Sequence, residues 1–228
     1  MRVYLNLLLF LSFCKVFSQE IPNFNAVDSL YREDQFYIGM TYGTLQKRPA
    51  GISQDKFAPS ISFGFLRDMP INKKRTVAIA MGLGYAINNY NQNLLITEKE
   101  GKVQYQPIES NANYSKNKLN LQYLELPVEF RWRNSTPESH IFWRVYTGFK
   151  FSYLTYDRSK YREGQNEIRV KNNKDINPLQ YGPYMCIGRN TWNFYAYYSL
   201  TPIFKTAEMN NSKIEMNTLA MGLHFYIL

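Results

Sequence analysis

Five charged residues recur at even spacing in two neighbouring apolar stretches, and they are the residues of this sequence best placed to do chemistry. Glu125, Glu129 and Arg131 lie in the first stretch, and Arg144 and Lys150 lie in the second. Even spacing puts side chains on one face of a β-strand, and opposite charges on adjacent strands can pair. The set could form a polar conduit, a switchable gate or a salt-bridged plug. Which of these applies depends on the elements that carry the charges.

Patterns for catalysis and metal binding find little support in the sequence. His140 and His224 are the only histidines, one beside a predicted turn and one in the last predicted strand, so no histidine metal site is expected. No nucleophile motif, phosphate loop or dinucleotide fingerprint is present. Cys14 lies in a predicted leader, and Cys186 is expected to be a small buried filler. We therefore expect no enzyme activity, cofactor, metal or small-molecule substrate.

The element that organises the chain is residues 76–87, with the sequence TVAIAMGLGYAI. Large apolar residues alternate there with alanine and glycine, which is the period of a β-strand. A soluble sandwich would turn polar residues to solvent on its second face. A face of small residues instead suits the crowded interior of a barrel whose apolar face meets lipid. We expect Gly82 and Gly84 to leave space there for larger residues such as Arg131 and Tyr146.

Seven further segments show the same period-two alternation, at residues 35–45, 59–69, 118–133, 140–156, 179–188, 191–204 and 214–228. Their connections alternate between long polar segments, such as 88–117 and 157–177, and short turns, such as 68–74. The expected fold class is all-β, an eight-stranded antiparallel transmembrane outer-membrane β-barrel with long extracellular loops and short periplasmic turns. Because so narrow a barrel leaves room inside for side chains and little else, we expect the charged set to be a plug.

The segment 118–133 contains an apparent change of phase. Leu119 and Tyr123 occupy odd positions, whereas the apolar residues from Leu124 onward occupy even positions. Such a change predicts a β-bulge near residues 123 and 124. Pro127 lacks a backbone N–H, which also favours a local irregularity in this strand.

The three tryptophans fall beside predicted short turns. Trp132 precedes the turn at 134–139, Trp143 follows it, and Trp192 follows the turn at 188–190. All three lie on the predicted outward face. The indole ring is apolar but carries a polar N–H, so we expect these residues to form a girdle at the membrane interface.

The two ends of the chain and its charge indicate an exported protein. Residues 1–18 have the form of a signal peptide, residues 19–34 form a polar periplasmic lead-in, and residues 35–228 form the barrel. Loss of the signal would lower the net charge from +9 to +7. The basic residues are scattered and no recognition motif accompanies them, so no nucleic-acid partner is expected. We expect the cell outer membrane of a Gram-negative bacterium as the location, reached by signal-peptide-dependent export, with outer-membrane lipid as a partner.

Two stretches carry a resemblance to a known family. They are RDMPINKKRTVAIAMGLGYAINNYNQNL at 67–94 and YLELPVEFRWR at 123–133. The sequence resembles the PorT/SprT family of Bacteroidota outer-membrane β-barrels, over essentially the whole mature chain. That resemblance implies a role in the type IX secretion system, which exports proteins with C-terminal sorting domains and supports gliding in some species. It also implies other secretion-system proteins as partners, and it implies no catalytic residues.

Two alternatives remain open at this stage. The long segments 88–117 and 157–177 could contact a protein or polysaccharide and make the barrel an adhesin, or they could be solvated surface only. Within the first segment, 94–97 and 102–106 could extend the flanking strands as a hairpin. A soluble lipocalin-like binder would need large apolar residues inside, whereas the predicted inner face carries Gly, Ala, Ser and charge.

Overall fold

The computed structural model describes residues 32–54, 56–109, 111–135 and 142–227. The predicted signal peptide at 1–18 and most of the predicted lead-in at 19–34 lie outside the described residues. The strands run as follows: β1 Gln35–Gln46, β2 Pro59–Pro70, β3 Val77–Asn91, β4 Leu94–Lys99, β5 Lys102–Pro107, β6 Lys116–Arg133, β7 Trp143–Glu163, β8 Asn166–Lys171, β9 Leu179–Arg189, β10 Trp192–Tyr198, β11 Glu208–Met209, β12 Ser212–Lys213 and β13 Asn217–Ile227. In this part of the chain, no helix has the length and apolar character needed to cross a membrane.

Eight of these strands form one closed antiparallel barrel. Around the wall they follow the order β1, β2, β3, β6, β7, β9, β10 and β13, and β13 pairs back onto β1. Closure lets the wall strands satisfy their backbone N–H and C=O groups on both sides, which a span through lipid requires. The arrangement confirms the predicted all-β, eight-stranded antiparallel barrel.

The connections between wall strands sort by length between the two ends of the barrel. At one end, here called the short-turn end, the connections are 71–76, 134–142 and 190–191. At the other, the long-loop end, they are 47–58, 92–115, 164–178 and 199–216. The predicted alternation of long and short connections is therefore present in the fold.

The long-loop end contains regular structure where the sequence predicted loops. β7 continues to Glu163, beyond the predicted boundary at 156, and pairs with β8 as a hairpin. β4 and β5 pair only with each other, rather than extending the flanking strands. The loop prediction for 157–177 was wrong because it was based on charge. Most charged residues of the hairpin occupy its outward face, while Val170 on the other face packs in a hydrophobic cluster. In the other direction, the strand predicted over 191–204 ends at Tyr198.

β6 alternates inward and outward along its whole length. Its odd residues, from Asn117 to Arg133, are all buried. The β-bulge predicted near residues 123 and 124 is confirmed, because the pairing with β7 shifts register between Gln122 and Tyr123. The inward face of β6 itself does not change at that point. The extra residue is Thr155, on the partner strand.

β3 turns its small residues inward, as the alternation predicts. Ala78 and Ala80 are fully buried, whereas Leu83 on the other face is 60% exposed. The expectation that Arg131 and Tyr146 fill the space left by the glycines is not what the structure shows at Gly84. A Cβ added at Gly84 would overlap the hydroxyl of Tyr37 from β1, rather than Arg131 or Tyr146.

The barrel interior has two hydrophobic clusters. The first, here called the cap core, joins barrel residues near the long-loop end to the hairpins and to residues 203–216; it contains Leu45, Ile52, Tyr90, Leu94, Ile96, Tyr105, Leu119, Leu121, Tyr123, Val170, Ile176, Ile203, Phe204, Ala207, Met209, Ile214 and Met216. The second, the tyrosine layer, contains Tyr37, Leu66, Ala80, Tyr146, Tyr184, Cys186, Tyr195, Tyr197 and Tyr226. The expectation of an inner face made only of Gly, Ala, Ser and charge is therefore wrong.

Candidate functional site: the charged network in the barrel lumen

Asp68 on β2 is the centre of an ionic network at the short-turn end of the lumen. Its Oδ1 accepts hydrogen bonds from Nη1 of Arg131, at 3.0 Å, and from Nη1 of Arg133, at 2.9 Å. Its Oδ2 accepts a third from Nη2 of Arg133, at 2.8 Å. All three side chains are fully buried. Charge-assisted bonds of this length are the strong class of protein hydrogen bonds, and the Arg133 pair is bidentate.

Glu33, which precedes β1, closes the network from the N-terminal side. Its backbone carbonyl accepts a hydrogen bond from Nη1 of Arg131 at 3.2 Å, and its carboxylate lies 3.9 Å from Nε of Arg133. Burial raises the pKa of the Glu33 carboxyl, and the charge of Arg133 opposes that rise. The end of the predicted lead-in is therefore part of the filling of the barrel.

Glu129 connects this network to the tyrosine layer. Its Oε2 accepts a hydrogen bond from Nε of Arg131 at 2.7 Å, and its Oε1 accepts one from the hydroxyl of Tyr184 at 2.9 Å. The guanidinium of Arg131 also lies over the ring of Tyr146, 4.7 Å from its centroid. Arg131 is thus held by two carboxylates, a backbone carbonyl and an aromatic face, which fixes it in the lumen.

Glu125 and Lys150 form a second ion pair in the middle of the lumen. Nζ of Lys150 lies 2.7 Å from Oε1 of Glu125 and 4.4 Å from the ring centroid of Tyr197. Two cavities adjoin the pair, of about 20 Å³ and about 10 Å³. Each has room for about one water molecule and for no larger solute.

Arg144 stands apart from both ionic groups. Among the described residues it makes no ion pair within 4.0 Å, and its Nε and Nη1 have no hydrogen-bond partner there. Its guanidinium lies over the rings of Phe142 and Tyr226, at 4.6 Å and 5.5 Å. All five residues of the charged set predicted from the sequence therefore lie in the lumen, but at three separate places: Glu129 with Arg131, Glu125 with Lys150, and Arg144 by itself.

Sequence reasoning missed Glu33, Asp68 and Arg133. Asp68 was assigned to the turn at 68–74, but β2 continues through it to Pro70 and its side chain points inward. Arg133 had the necessary signal, because it continues the odd-numbered inward series of β6 beyond Arg131. No sequence signal pointed to Glu33, because the segment before β1 shows no alternation of apolar and polar residues.

Most charged side chains of the lumen are engaged in ion pairs or packed against aromatic rings. Among the described residues, no group of three His, Cys, Asp or Glu side chains could hold a metal ion. His224 is stacked between Tyr195, at 3.9 Å between centroids, and Tyr37, at 5.4 Å. Cys186 is fully buried in the tyrosine layer.

The three tryptophans lie on the outer face near the short-turn end. Trp132 and Trp143 stand at the facing ends of β6 and β7, and Trp192 is paired with Arg189 at the start of β10. They are 46%, 51% and 64% exposed in the isolated chain. Their geometry fits an interface girdle, and that role stays a prediction.

Comparison with known proteins gives one family match. A family model described as "Outer membrane protein beta-barrel domain" matches residues 17–205. The crystal structure of Ail, the attachment invasion locus protein of Yersinia pestis, is similar with 10% identity over 86% of this chain and 100% of that chain, at a TM-score of 0.34. The same protein in complex with the heparin analogue sucrose octasulfate gives the same identity and coverage at a TM-score of 0.32. No curated protein sequence matches the chain.

Proposed function

We propose that this chain, which belongs to the outer membrane protein β-barrel domain family, is a non-enzymatic outer-membrane component of type IX protein secretion. In this role it supports the export of cargo with C-terminal sorting domains and, in some species, gliding. It reaches the outer membrane through a signal peptide at residues 1–18. Its partners are outer-membrane lipid and other secretion-system proteins.

The filled lumen is the observation that supports a structural role rather than a conducting one. The cap core occupies the long-loop end, the tyrosine layer occupies the middle, and the Asp68 network occupies the short-turn end. A barrel filled in this way cannot serve as a wide diffusion pore for nutrients or for folded cargo. Such a protein acts through its two ends and its outer wall, which suits a structural or assembly component.

The type IX assignment is supported by the resemblance of two stretches to the PorT/SprT family. Residues 67–94 contain Asp68 and all of β3, and residues 123–133 contain Arg131 and Arg133 on β6. β3 and β6 are hydrogen-bonded neighbours, and side chains from both stretches meet in the ionic network. The resemblance therefore falls on residues that build the inside of the barrel.

Gene deletion followed by cell fractionation tests the secretion role. In the deletion strain we expect cargo with C-terminal sorting domains to accumulate in the periplasm, and the wild-type gene to restore export. A variant with Glu98→Gln, an exposed carboxylate on β4, is a matched complementation control and should restore export equally. Normal export in the deletion strain would refute the type IX role and leave the barrel fold untouched.

Surface adhesion is the second candidate function, and the ordered outer end of the barrel favours it. Leu94, Ile96 and Tyr105 of the β4–β5 hairpin are buried in the cap core, so the hairpin is held in place and presents a fixed tip. Rigidly held surface structure lowers the entropy lost on binding. Replacing residues 98–103 at this tip with Gly and Ser should abolish adhesion and spare export if this candidate is correct. Loss of export with adhesion intact would refute it.

A further inference from the structure

The outer wall of the barrel carries a dense group of cations near the long-loop end. On the face of β6, β7 and β8 that points away from the lumen, seven of the alternating side chains are basic. We call this set the basic ladder: Lys116, Lys118, Arg158, Lys160, Arg162, Arg169 and Lys171. Its residues share one face because each is directly paired across the sheet with another outward position.

Like charges stand opposite one another in the ladder. Lys118 pairs across the sheet with Lys160, which in turn pairs with Arg169. Lys116 pairs with Arg162. Like charges directly opposite one another on neighbouring strands destabilise a sheet. An anion bound between the strands would remove that repulsion.

Among the described residues, one carboxylate forms ion pairs with the basic ladder. Glu167 on β8 is paired with Lys160, at 3.0 Å, and with Arg162 and Arg169. Hydrogen bonds from Arg162, Lys160 and Arg169 lower the pKa of this exposed carboxyl to about 2. Even after this pairing, the ladder keeps a large excess of positive charge on one side of the barrel.

The ladder lies directly above the apolar outer face of the same strands. On β6, Leu124 and Leu126 are outward and exposed, and the outward residues above them are Gln122, Asn120 and then Lys118. At about 3.3 Å per residue, Asn120 is about 13 Å along the strand from Leu124. Asn120 is paired with Arg158 on β7, which is therefore the cation of the ladder nearest to the apolar face. The cations therefore begin within the depth expected for lipid headgroups, and they point sideways from the wall rather than upward from the mouth.

The ladder also borders a surface depression on the same wall. Its volume is about 380 Å³, and it is lined by Lys116, Lys118, Asn120, Gln122, Tyr156, Arg158 and Lys160. At its lower edge the hydroxyl of Tyr85 donates to Oε1 of Gln122 at 2.7 Å and lies 3.2 Å from Oγ1 of Thr155. A polar floor and basic walls on a rigid sheet suit a phosphate-bearing group, which Lys and Arg bind through charge-assisted hydrogen bonds.

We propose that the basic ladder binds the phosphate groups of anionic lipids in the outer leaflet, so that one side of the barrel holds specific headgroups. Continuity with the apolar face below is what assigns the ligand to lipid, because a lipid can fill both surfaces at once. A soluble polyanion would contact only the basic ladder and would gain nothing from the apolar face. The proposal concerns the wall of the barrel and does not depend on the secretion role.

Native mass spectrometry of the full barrel in zwitterionic detergent tests this proposal, with diphosphoryl lipid A as the probe. The test variant is Lys116→Gln, Lys118→Gln, Arg158→Gln, which spares the partners of Glu167. A basic residue near an anionic lipid surface contributes about a fivefold gain in affinity, so the triple variant should bind about 100-fold more weakly. The parent should also bind monophosphoryl lipid A more weakly than the diphosphoryl form.

The matched control carries the same loss of charge at the same end of the barrel. It is Lys47→Gln, Arg48→Gln, Lys102→Gln, three exposed positions off the ladder, and it should bind as the parent does. A heat-modifiability gel verifies that both variants fold, which is expected because the test variant removes like-charge repulsion. Equal lipid affinity of parent and test variant would overturn the proposal, as would equal loss in the control.

Two competition arms identify the source of the phosphate. Inorganic pyrophosphate should not displace the lipid at concentrations comparable to that of the lipid, because it lacks the chains that the apolar face would hold. Displacement at such concentrations would assign the ladder to soluble phosphates and overturn the lipid proposal. Dextran sulfate binding that depends on the ladder, with lipid affinity unchanged in the test variant, would overturn it in favour of a soluble polyanion.

Discussion

Replacing Asp68 with Asn should strongly destabilise the barrel. The side chain is fully buried and accepts three hydrogen bonds, of 2.8 Å, 2.9 Å and 3.0 Å, from Arg131 and Arg133. The amide keeps the shape but loses the charge, and its NH₂ group faces guanidinium donors. Breaking a buried ion pair costs about 3–5 kcal/mol. Arg131 keeps Glu129 at 2.7 Å and Arg133 keeps Glu33 at 3.9 Å, so we expect the lower end, about 3 kcal/mol.

Urea unfolding in phospholipid vesicles, followed by tryptophan fluorescence, measures this loss. The matched control is Glu98→Gln, which removes an exposed carboxylate on β4 and should change the free energy of unfolding by less than about 0.5 kcal/mol. An Asp68→Asn barrel as stable as the control would refute the reasoning. It would mean that water or neighbouring groups already stabilise the two guanidinium groups in the absence of Asp68.

A double-mutant cycle separates the ion pair from loss of packing. Arg133→Met removes the guanidinium but keeps a long side chain, so the Asp68→Asn change should be less costly in that background. Residues in direct contact show coupling energies of about 0.5–3 kcal/mol, and we expect about 2 kcal/mol here. Additive effects of the two changes would show that Asp68 acts on stability through some other contact.

Three further predictions test other parts of the barrel. Glu129→Ala should lower the free energy of unfolding by about 2–4 kcal/mol in the same urea assay, because it strands buried donors on two neighbouring side chains; an unfolding midpoint equal to that of the parent would count against a buried pair. Gly84→Leu should prevent the heat-modifiable form on a gel, because the new side chain would meet Tyr37, whereas Val77→Leu on the outward face should fold normally; equal folding of both would refute the packing argument. Glu167 should titrate in carboxyl NMR spectra with a midpoint near 2 rather than near its unfolded value of about 4.3. Because its folded pKa is lowered, its contribution to the β7–β8 hairpin is present above pH about 4.3 and is lost as the pH falls towards 2; an ordinary midpoint would contradict the three ion pairs.

The wall strands were predictable because each has lipid on one side and a filled lumen on the other. That condition repeats every second residue, so an alternating sequence such as that of β3 identifies both the strand and its outward face. The sorting of short and long connections followed for the same reason, since each strand crosses the membrane once. The family match and the closed barrel both agree with this part of the prediction.

The contents of the lumen were only partly predictable, because partners there are not neighbours in the alternation pattern. Asp68 on β2 reaches Arg131 on β6 across the intervening strand β3. A rule for adjacent strands finds the Glu125–Lys150 pair but cannot find this contact. The tyrosines were missed for a related reason, because alternation gives the face of a residue and says nothing about which space its ring fills. Tyr37 fills the space over Gly84 from the next strand but one.

The apparent change of phase in β6 has a physical cause that the sequence pattern conceals. On the long-loop side of residue 123, the inward side chains Leu119 and Leu121 pack in the cap core, and the outward ones are polar. On the short-turn side of it, every inward side chain except Pro127 is charged and paired, and outward ones such as Leu126 are exposed and apolar. The strand keeps one alternation while its surroundings invert, from water outside and an apolar core inside to lipid outside and an ionic lumen inside. Apolar residues thus mark the face that meets an apolar medium, and the inversion places the upper edge of the lipid-facing wall between Gln122 and Leu124.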